Sequence, residues 1–311
     1  MNIVITGGSG FVGSYLCEKL INDGHEIIVV DNLLTGSTEN INHLMHNENF
    51  SFIEHDVQNH IEIENKVDYV LHFASAASPK AYTEHPVNTL KAGSVGTINT
   101  LGLAKKNDAE YLLASTSEVY GDPLISPQTE EYWGNVNPNG ERSMYDEAKR
   151  FAEAAVATYS RSYDLKTKIV RIFNTYGPRM QLNDGRVVTN FIVQALKNEN
   201  ITIYGDGSQT RSFSYVEDTV AGIISLMNSS EYDVFNIGNP NEMTVGQLAE
   251  KIIELTDSTS EIKYLELPND DPKQRKPDIT KAKTKLNWEP KVNLEDGLTK
   301  TIKWVEGQLS K

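Results

Sequence analysis

One cysteine in 311 residues excludes an intramolecular disulfide and fits a reducing compartment. That residue, Cys17, lies among the apolar positions of the first helical stretch with no histidine near it in the sequence, so it reads as a buried structural thiol. Basic residues are scarce: 29 Lys and Arg stand against 43 Asp and Glu, for a net charge of −14. A phosphate backbone demands a basic face, so this balance argues against nucleic acid, and equally against anionic membranes. No apolar run approaches the length that spans a bilayer. The chain opens on an apolar strand pattern, Asn2–Thr6, with no basic n-region and no cleavage site, and a cytoplasmic location is expected. The seven histidines show no paired ligand spacing, so no metal is expected. Internal repeats and low-complexity linkers are also missing.

What remains is a patterned α/β chain with 39% apolar residues, enough for a sizeable core. Short β-branched or aromatic runs occur at Asn2–Thr6, Glu26–Asp31, Phe50–Asp56, Val67–Ser75, Glu110–Ser117 and Lys168–Thr175. Near-continuous apolar runs of this kind suit parallel strands buried on both faces. Helical patterns fall between them at Phe11–Asp23, Val87–Asn107 and Asp146–Tyr163. This alternation implies a doubly wound parallel sheet of the Rossmann kind. Residues 1–177 are expected to form the dinucleotide-binding domain and 178–311 a smaller substrate-binding region, from which the chain returns to the sheet near 213–239, at Tyr215–Met227 and Asp233–Gly238.

The first strand runs into Gly7-Gly8-Ser9-Gly10-Phe11-Val12-Gly13 at the start of the first helix. Glycine at Gly7, Gly10 and Gly13 permits a tight turn and close approach of the backbone to a pyrophosphate, and the helix N-terminus supplies N–H donors. An acid, Asp31, ends the second strand about 20 residues on, where it can accept from a ribose diol and repel a 2′-phosphate. NAD is therefore expected over NADP. Asp56 and Val57, ending the third strand, are expected near the adenine.

Tyr145 and Lys149 share one helical face in a Y-x-x-x-K pattern. A neighbouring ammonium, together with the positive nicotinamide of NAD⁺, is expected to lower the tyrosine pKa from its usual value near 10, making it a base at neutral pH. At the end of the fifth strand, where open α/β sheets gather their chemistry, stand Ser117 and Glu118. Ser117 can hydrogen-bond a reacting hydroxyl, and Glu118 adds a second acid/base.

The Gly-rich loop, the Ser/Tyr/Lys set and the Glu beside the Ser resemble those of the extended short-chain dehydrogenase/reductases, and more closely the UDP-glucuronate decarboxylase (UDP-xylose synthase) family. The resemblance runs over nearly the whole chain. It is most specific at Asp31–Gly36, Leu112–Pro123, Tyr132–Pro138, Tyr145–Arg150, Arg171–Met180, Asp184–Leu196, Tyr204–Arg211 and Asp270–Asp278. It implies an NAD-dependent carboxy-lyase acting on a nucleotide sugar. Tyr145 is then the base at the C4 hydroxyl, assisted by Ser117 and by Lys149, which also holds the nicotinamide ribose. Glu118 acts near C5, and Arg275 faces the reacting carboxylate. Asn32 and Lys91 join the cofactor contacts. Asn174, Arg179, Val188, Tyr204, Gln209 and Arg211 join those to the nucleotide sugar. Ala76, Ser126, Met144 and Ala148 depart from the family's usual residues without removing a reactive group.

The implied reaction oxidises C4 of UDP-glucuronate, loses CO₂ from the resulting β-keto acid and reduces the 4-keto pentose to UDP-xylose. In so acidic a chain, Arg179, Arg186, Arg211 and Arg275 stand out as oxyanion ligands, with Arg186 the first candidate for a plain ion pair. A UDP-glucuronate 4-epimerase is the principal rival. A dTDP-glucose 4,6-dehydratase usually carries Asp-Glu at Ser117-Glu118, and a GDP-mannose dehydratase lacks the Arg275–Ile279 context. A non-catalytic NAD-binding regulator typically loses the Tyr or the Lys, and both are present. Relatives commonly form homodimers through paired helices. Here the candidates are Val95–Lys105 and Glu147–Tyr163, with Ala148, Ala152 and Ala155 expected to permit close approach.

Overall fold

The computed structural model describes residues 1–266 and 274–311. In chain order the first half runs β1 (Asn2–Thr6), α1 (Phe11–Asn22), β2 (Glu26–Asp31), β3 (Phe50–Glu54), β4 (Tyr69–His72), α2 (Pro79–Glu84), α3 (Pro86–Lys91), α4 (Thr97–Asn107), β5 (Glu110–Thr116), α5 (Ser143–Tyr163) and β6 (Thr167–Ile172). The second half runs β7 (Thr175–Tyr176), α6 (Val187–Leu196), β8 (Ile201–Tyr204), β9 (Thr210–Ser212), β10 (Ser214–Tyr215), α7 (Val216–Asn228), β11 (Val234–Ile237), β12 (Glu242–Thr244), α8 (Val245–Thr256), β13 (Ile262–Leu265), β14 (Gln274–Arg275), α9 (Thr280–Leu286) and α10 (Leu294–Leu309).

Among the described residues seven strands form one parallel sheet in the order β11-β6-β5-β4-β1-β2-β3. The inner strands are buried because helices cover both faces, whereas edge strand β3 is largely exposed. Leu16, Cys17 and Leu20 of α1 pack with Ile3, Ile5 and Val29 on one face. Leu101 and Ala104 of α4 and Ala152 and Val156 of α5 pack with Val4, Val70 and Leu113 on the other. The strand order reverses between β1 and β4, and a cleft opens outside their carboxyl ends. No helix among the described residues is long and apolar enough to cross a membrane.

Two expected elements come out differently. Val87–Asn107 is not one helix, because a π-helical turn at Ala92–Gly96 separates α3 from α4. Gly93 and Gly96 lie there, and a Cβ on Gly93 would come within 2.7 Å of the Ala148 Cβ. Of Tyr215–Met227, only Tyr215 is strand, in β10 outside the large sheet; Val216, Val220, Ile223, Leu226 and Met227 are buried at helical spacing in α7. Only β11 rejoins the large sheet there.

The carboxyl end of β6 is fixed by one buried ion pair. Arg171 donates Nε to Glu153 Oε1 (2.9 Å) and Nη2 to Glu153 Oε2 (2.7 Å), while its Nη1 reaches the Tyr120 hydroxyl (2.9 Å). Tyr120 in turn donates to Asn236 of β11 (2.8 Å), and Ser115 of β5 donates to Glu153 (2.5 Å). Arg171→Met leaves Glu153 buried without its cation, so equilibrium urea unfolding should show a loss of about 3–5 kcal/mol. A loss under about 1 kcal/mol, the size of an exposed pair, would contradict this account.

Candidate functional site

The cleft holds about 1370 Å³, more than a single drug-sized ligand needs, and suits two ligands end to end. Its first half is the glycine loop. Gly7 has φ 73°, and a Cβ there would meet the Phe73–Ala74 backbone at 2.7 Å. A Cβ on Gly13 would sit 2.2 Å from the Gly7 carbonyl oxygen. Side chains are thus excluded where α1 begins, and its N-terminus faces the cleft beside Gly10, Phe11 and Val12. Asp31 ends β2 with its carboxylate accepting from the Ser9 N–H (3.1 Å) and the Leu33 N–H (2.9 Å). Asn32 donates to Asp56 (3.0 Å), and Asp56 and Val57 line the same end of the cleft.

The second half holds the acid/base groups. Tyr145 is buried on α5 and stacked on Tyr82, ring centroids 5.2 Å apart. The Thr116 side chain lies close enough to its hydroxyl to lower its pKa. The hydroxyl set against the phenol is therefore that of Thr116, the last residue of β5. Ser117 lines the same cleft, and its carbonyl oxygen accepts from Arg275 Nη1 (2.5 Å). Lys149 donates to the Ala114 carbonyl (2.8 Å), 5.8 Å from the Tyr145 ring centre. Burial lowers the Lys149 pKa to about 8, partly offset by Glu153. The expected depression of the Tyr145 pKa rests on a bound nicotinamide as well as on Lys149, and the chain's own surroundings shift that pKa upward. Burial raises it, as do the charges of Glu118 and Asp146, against the effect of the Thr116 side chain.

Glu118 lies between guanidiniums. Its Oε2 accepts from Arg142 Nη2 and from Arg275 Nη2 (3.1 Å). Burial pushes its pKa up, but Arg275, Arg142 and Arg211 outweigh burial and hold the carboxyl below the usual range. Arg275 comes from β14, which pairs with β9 so that Arg275 stands opposite Arg211. Asp146, one residue past Tyr145, is raised to about 7 by burial and by the Glu118 charge.

Asn174, Val188, Tyr204, Gln209, Arg211 and Arg275 all line the cleft. Arg179 lines it too, but on the glycine-loop side: it pairs with Glu18 (2.6 Å) and lies over the Tyr15 ring, both on α1. Arg186 pairs with Asp184. Lys91 falls outside the cleft. It is exposed on α3, whereas Asn88, Thr89 and Ala92 line it, and Lys91 lies about 100° around the helix from Ala92. Ala148, Ala152 and Ala155 do not face outward either, because they are buried within the chain. Of the Asp270–Asp278 stretch, residues 270–273 lie outside the described residues. Thr116, Arg142 and Asp146 escaped the sequence reading. Arg142, three residues before Tyr145, carried a helical-spacing signal that could have found it.

Glycine cradle, acid after β2 and Tyr/Lys pair together define an extended short-chain dehydrogenase/reductase. Residues 4–301 match the family model described as GDP-mannose 4,6 dehydratase, and the chain belongs to that family. It is 53% identical over 307 residues to UDP-glucuronic acid decarboxylase 1 of Xenopus tropicalis, a match covering 99% of this chain and 72% of that protein. Among solved structures it resembles UDP-glucose 4-epimerase with UDP-glucose from Thermotoga maritima (34% identity, TM-score 0.92, 99% of this chain and 100% of that one). It also resembles UDP-glucuronic acid 4-epimerase from Bacillus cereus in complex with UDP-glucuronic acid and NAD (26% identity, TM-score 0.90, 99% and 100%).

Asp146 yields a pH prediction. Its folded-state pKa, about 7, lies above the ordinary 3.8, so the protonated carboxyl favours folding fully below pH 3.8. That contribution is lost as pH rises towards 7. Asp146→Asn removes the loss, so its Tm relative to wild type should be higher at pH 8 than at pH 5. A difference that does not change with pH would refute the raised pKa.

Proposed function

We propose that this protein converts UDP-glucuronate to UDP-xylose with NAD, through C4 oxidation, loss of CO₂ and C4 reduction. One observation carries it: an acid/base set at the end of β5 and start of α5 shares a cleft with a carboxylate bracketed by arginines. The 53% identity to a UDP-glucuronic acid decarboxylase supports the choice of reaction.

The residues present fit the dinucleotide. Positions Gly7 and Gly13 have no room for a side chain, and Asp31 is a buried acid facing the cleft. Gly7, Gly10, Phe11, Val12 and Gly13 would hold the pyrophosphate, Asp31 and Asn32 the adenosine ribose, and Asp56 and Val57 the adenine. When bound, NAD takes up the C4 hydride of the sugar and returns it after CO₂ has left, so that no net redox change occurs. Tyr145 removes the C4 hydroxyl proton and later returns it, with Thr116 and Ser117 beside the same oxygen. Lys149, anchored on the Ala114 carbonyl, places a positive charge behind the phenol and would hold the nicotinamide ribose. Arg275 holds the sugar carboxylate and orients the C5–C6 bond across the C4 ketone, the alignment in which the breaking bond overlaps the carbonyl π system. Glu118 acts near C5. Asn174, Val188, Tyr204, Gln209 and Arg211 hold the sugar and nucleotide diphosphate, and Arg179 steadies α1 beneath them.

We further infer a cytoplasmic homodimer, with residues 1–177 as the NAD-binding domain and 178–311 as the sugar-nucleotide region. Val87, Leu90, Val95, Ile98 and Phe151 are exposed apolar residues on the α3–α5 side and supply the partner face.

Three outcomes test this function. A proton NMR time course with UDP-glucuronate and a trace of NAD should yield UDP-xylose with matching CO₂, whereas UDP-galacturonate without CO₂ would make the protein an epimerase. Tyr145→Phe should keep its fold and NAD affinity and lose about 10²–10⁴ in kcat. Retention of most of the activity would remove Tyr145 from its role. Wild type should bind NAD in preference to NADP, and Asp31→Ala should narrow that preference in a titration. Equal wild-type affinities would overturn the assignment of Asp31.

A further inference from the structure

Arg142 is not accounted for by the reaction scheme above. It occupies the N-cap position of α5, one helical turn before Tyr145, and lines the cleft. It bonds the same Glu118 oxygen as Arg275, and its guanidinium lies 5.9 Å from the centre of the Tyr82 ring, which stacks on Tyr145. One cation thus touches the carboxylate and borders the tyrosine stack.

Two arginines on one carboxylate oxygen suit a state in which one of them is about to be claimed by another anion. Arg275 is 2% exposed, and one of its nitrogens is already committed to the Ser117 carbonyl. A sugar carboxylate arriving at Arg275 competes for the nitrogen that holds Glu118 and adds a negative charge nearby. A buried carboxylate that loses its cation takes up a proton. Resting on the decarboxylase function proposed above, we propose that Arg142 is the positioning residue that keeps Glu118 ionised and in place once the substrate carboxylate engages Arg275.

The groups facing Glu118 come from four elements. They are Arg142, Tyr145 and Asp146 of α5, Arg275 of β14, Arg211 of β9, and Thr116 of β5, whose hydroxyl accepts from the Glu118 N–H at 3.3 Å. Burial and the Glu118 charge raise the Asp146 pKa, so Glu118 and Asp146 titrate as a pair. Arg142 lowers both carboxyls, and its loss moves both in the same direction, upward.

The test is the pH profile of kcat and KM of the NAD-loaded enzyme with UDP-glucuronate, for wild type, Arg142→Leu and Arg142→Lys. In Arg142→Leu the acid limb of kcat should move up by about one pH unit or more, the low end of what an adjacent opposite charge does to a carboxyl. KM should stay within about twofold, since Arg275 still holds the substrate. Arg142→Lys should bring the limb most of the way back. If Arg142→Leu fails to fold, Arg142→Gln is read in its place. An unmoved acid limb, or a raised KM with kcat and limb unchanged, overturns the role. Wild-type UDP-xylose production is measured first: its absence overturns the parent function and this inference together, whereas normal production with an unmoved limb overturns only the role of Arg142.

Discussion

A carboxylate taken out of water must be met by positive charge, and Glu118 is where this protein meets that requirement. Its two guanidinium partners come from distant parts of the chain, Arg142 at the start of α5 and Arg275 at β14. Pairing it ties the end of the fifth strand, the helix bearing Tyr145 and the C-terminal segment into one wall. Charges held in a dry site act strongly and need little rearrangement when a reaction develops charge. Burial and the charge of Glu118 raise the neighbouring Asp146 to about 7, against the pull of the same two arginines.

The sheet carries the other half of the design. Parallel strands buried on both faces place their carboxyl ends in register, so the glycine turn after β1 and the hydroxyls after β5 open into one cleft. The Arg171–Glu153 fork and the Tyr120–Asn236 bond fix the rim on the far side, between β5, β6 and β11. The catalytic helix therefore leaves a braced edge.

Much of this was legible in the amino-acid order because buried strands announce themselves as apolar runs and a glycine cradle has fixed spacing. The Y-x-x-x-K spacing likewise fixed a helical face for Tyr145 and Lys149. Thr116 was harder to find than Ser117, since two adjacent hydroxyls end the strand and only the path of the backbone decides which meets the phenol. Lys91 stands exposed on α3 because the phase of a short helix depends on where it starts, at Pro86, and the π-helical turn after it has no plain signature. The raised Asp146 pKa depends on burial that no local pattern encodes. The inward alanines of α5 were read as a partner face because small residues permit close approach from either side of a helix, and here the approaching neighbour is Gly93 of the same chain.

Gln128 shows how loosely chemistry and geometry are joined here. Its backbone N–H donates to the Lys276 carbonyl (2.8 Å), the Asp278 N–H donates back to its carbonyl (2.8 Å), and its side-chain oxygen accepts from the Lys276 N–H (2.9 Å). Arg275 thus stands one residue away from a clasp made by a surface loop, and the position of its guanidinium follows the length of that loop as much as any residue that touches a substrate. A change of length between Gly121 and Gln128 acts on the arginine through this clasp, without altering one reactive atom, and against the register that β14 keeps with β9. Loop length is a coordinate along which such a pocket can drift from one acidic sugar to another while its catalytic inventory stays the same.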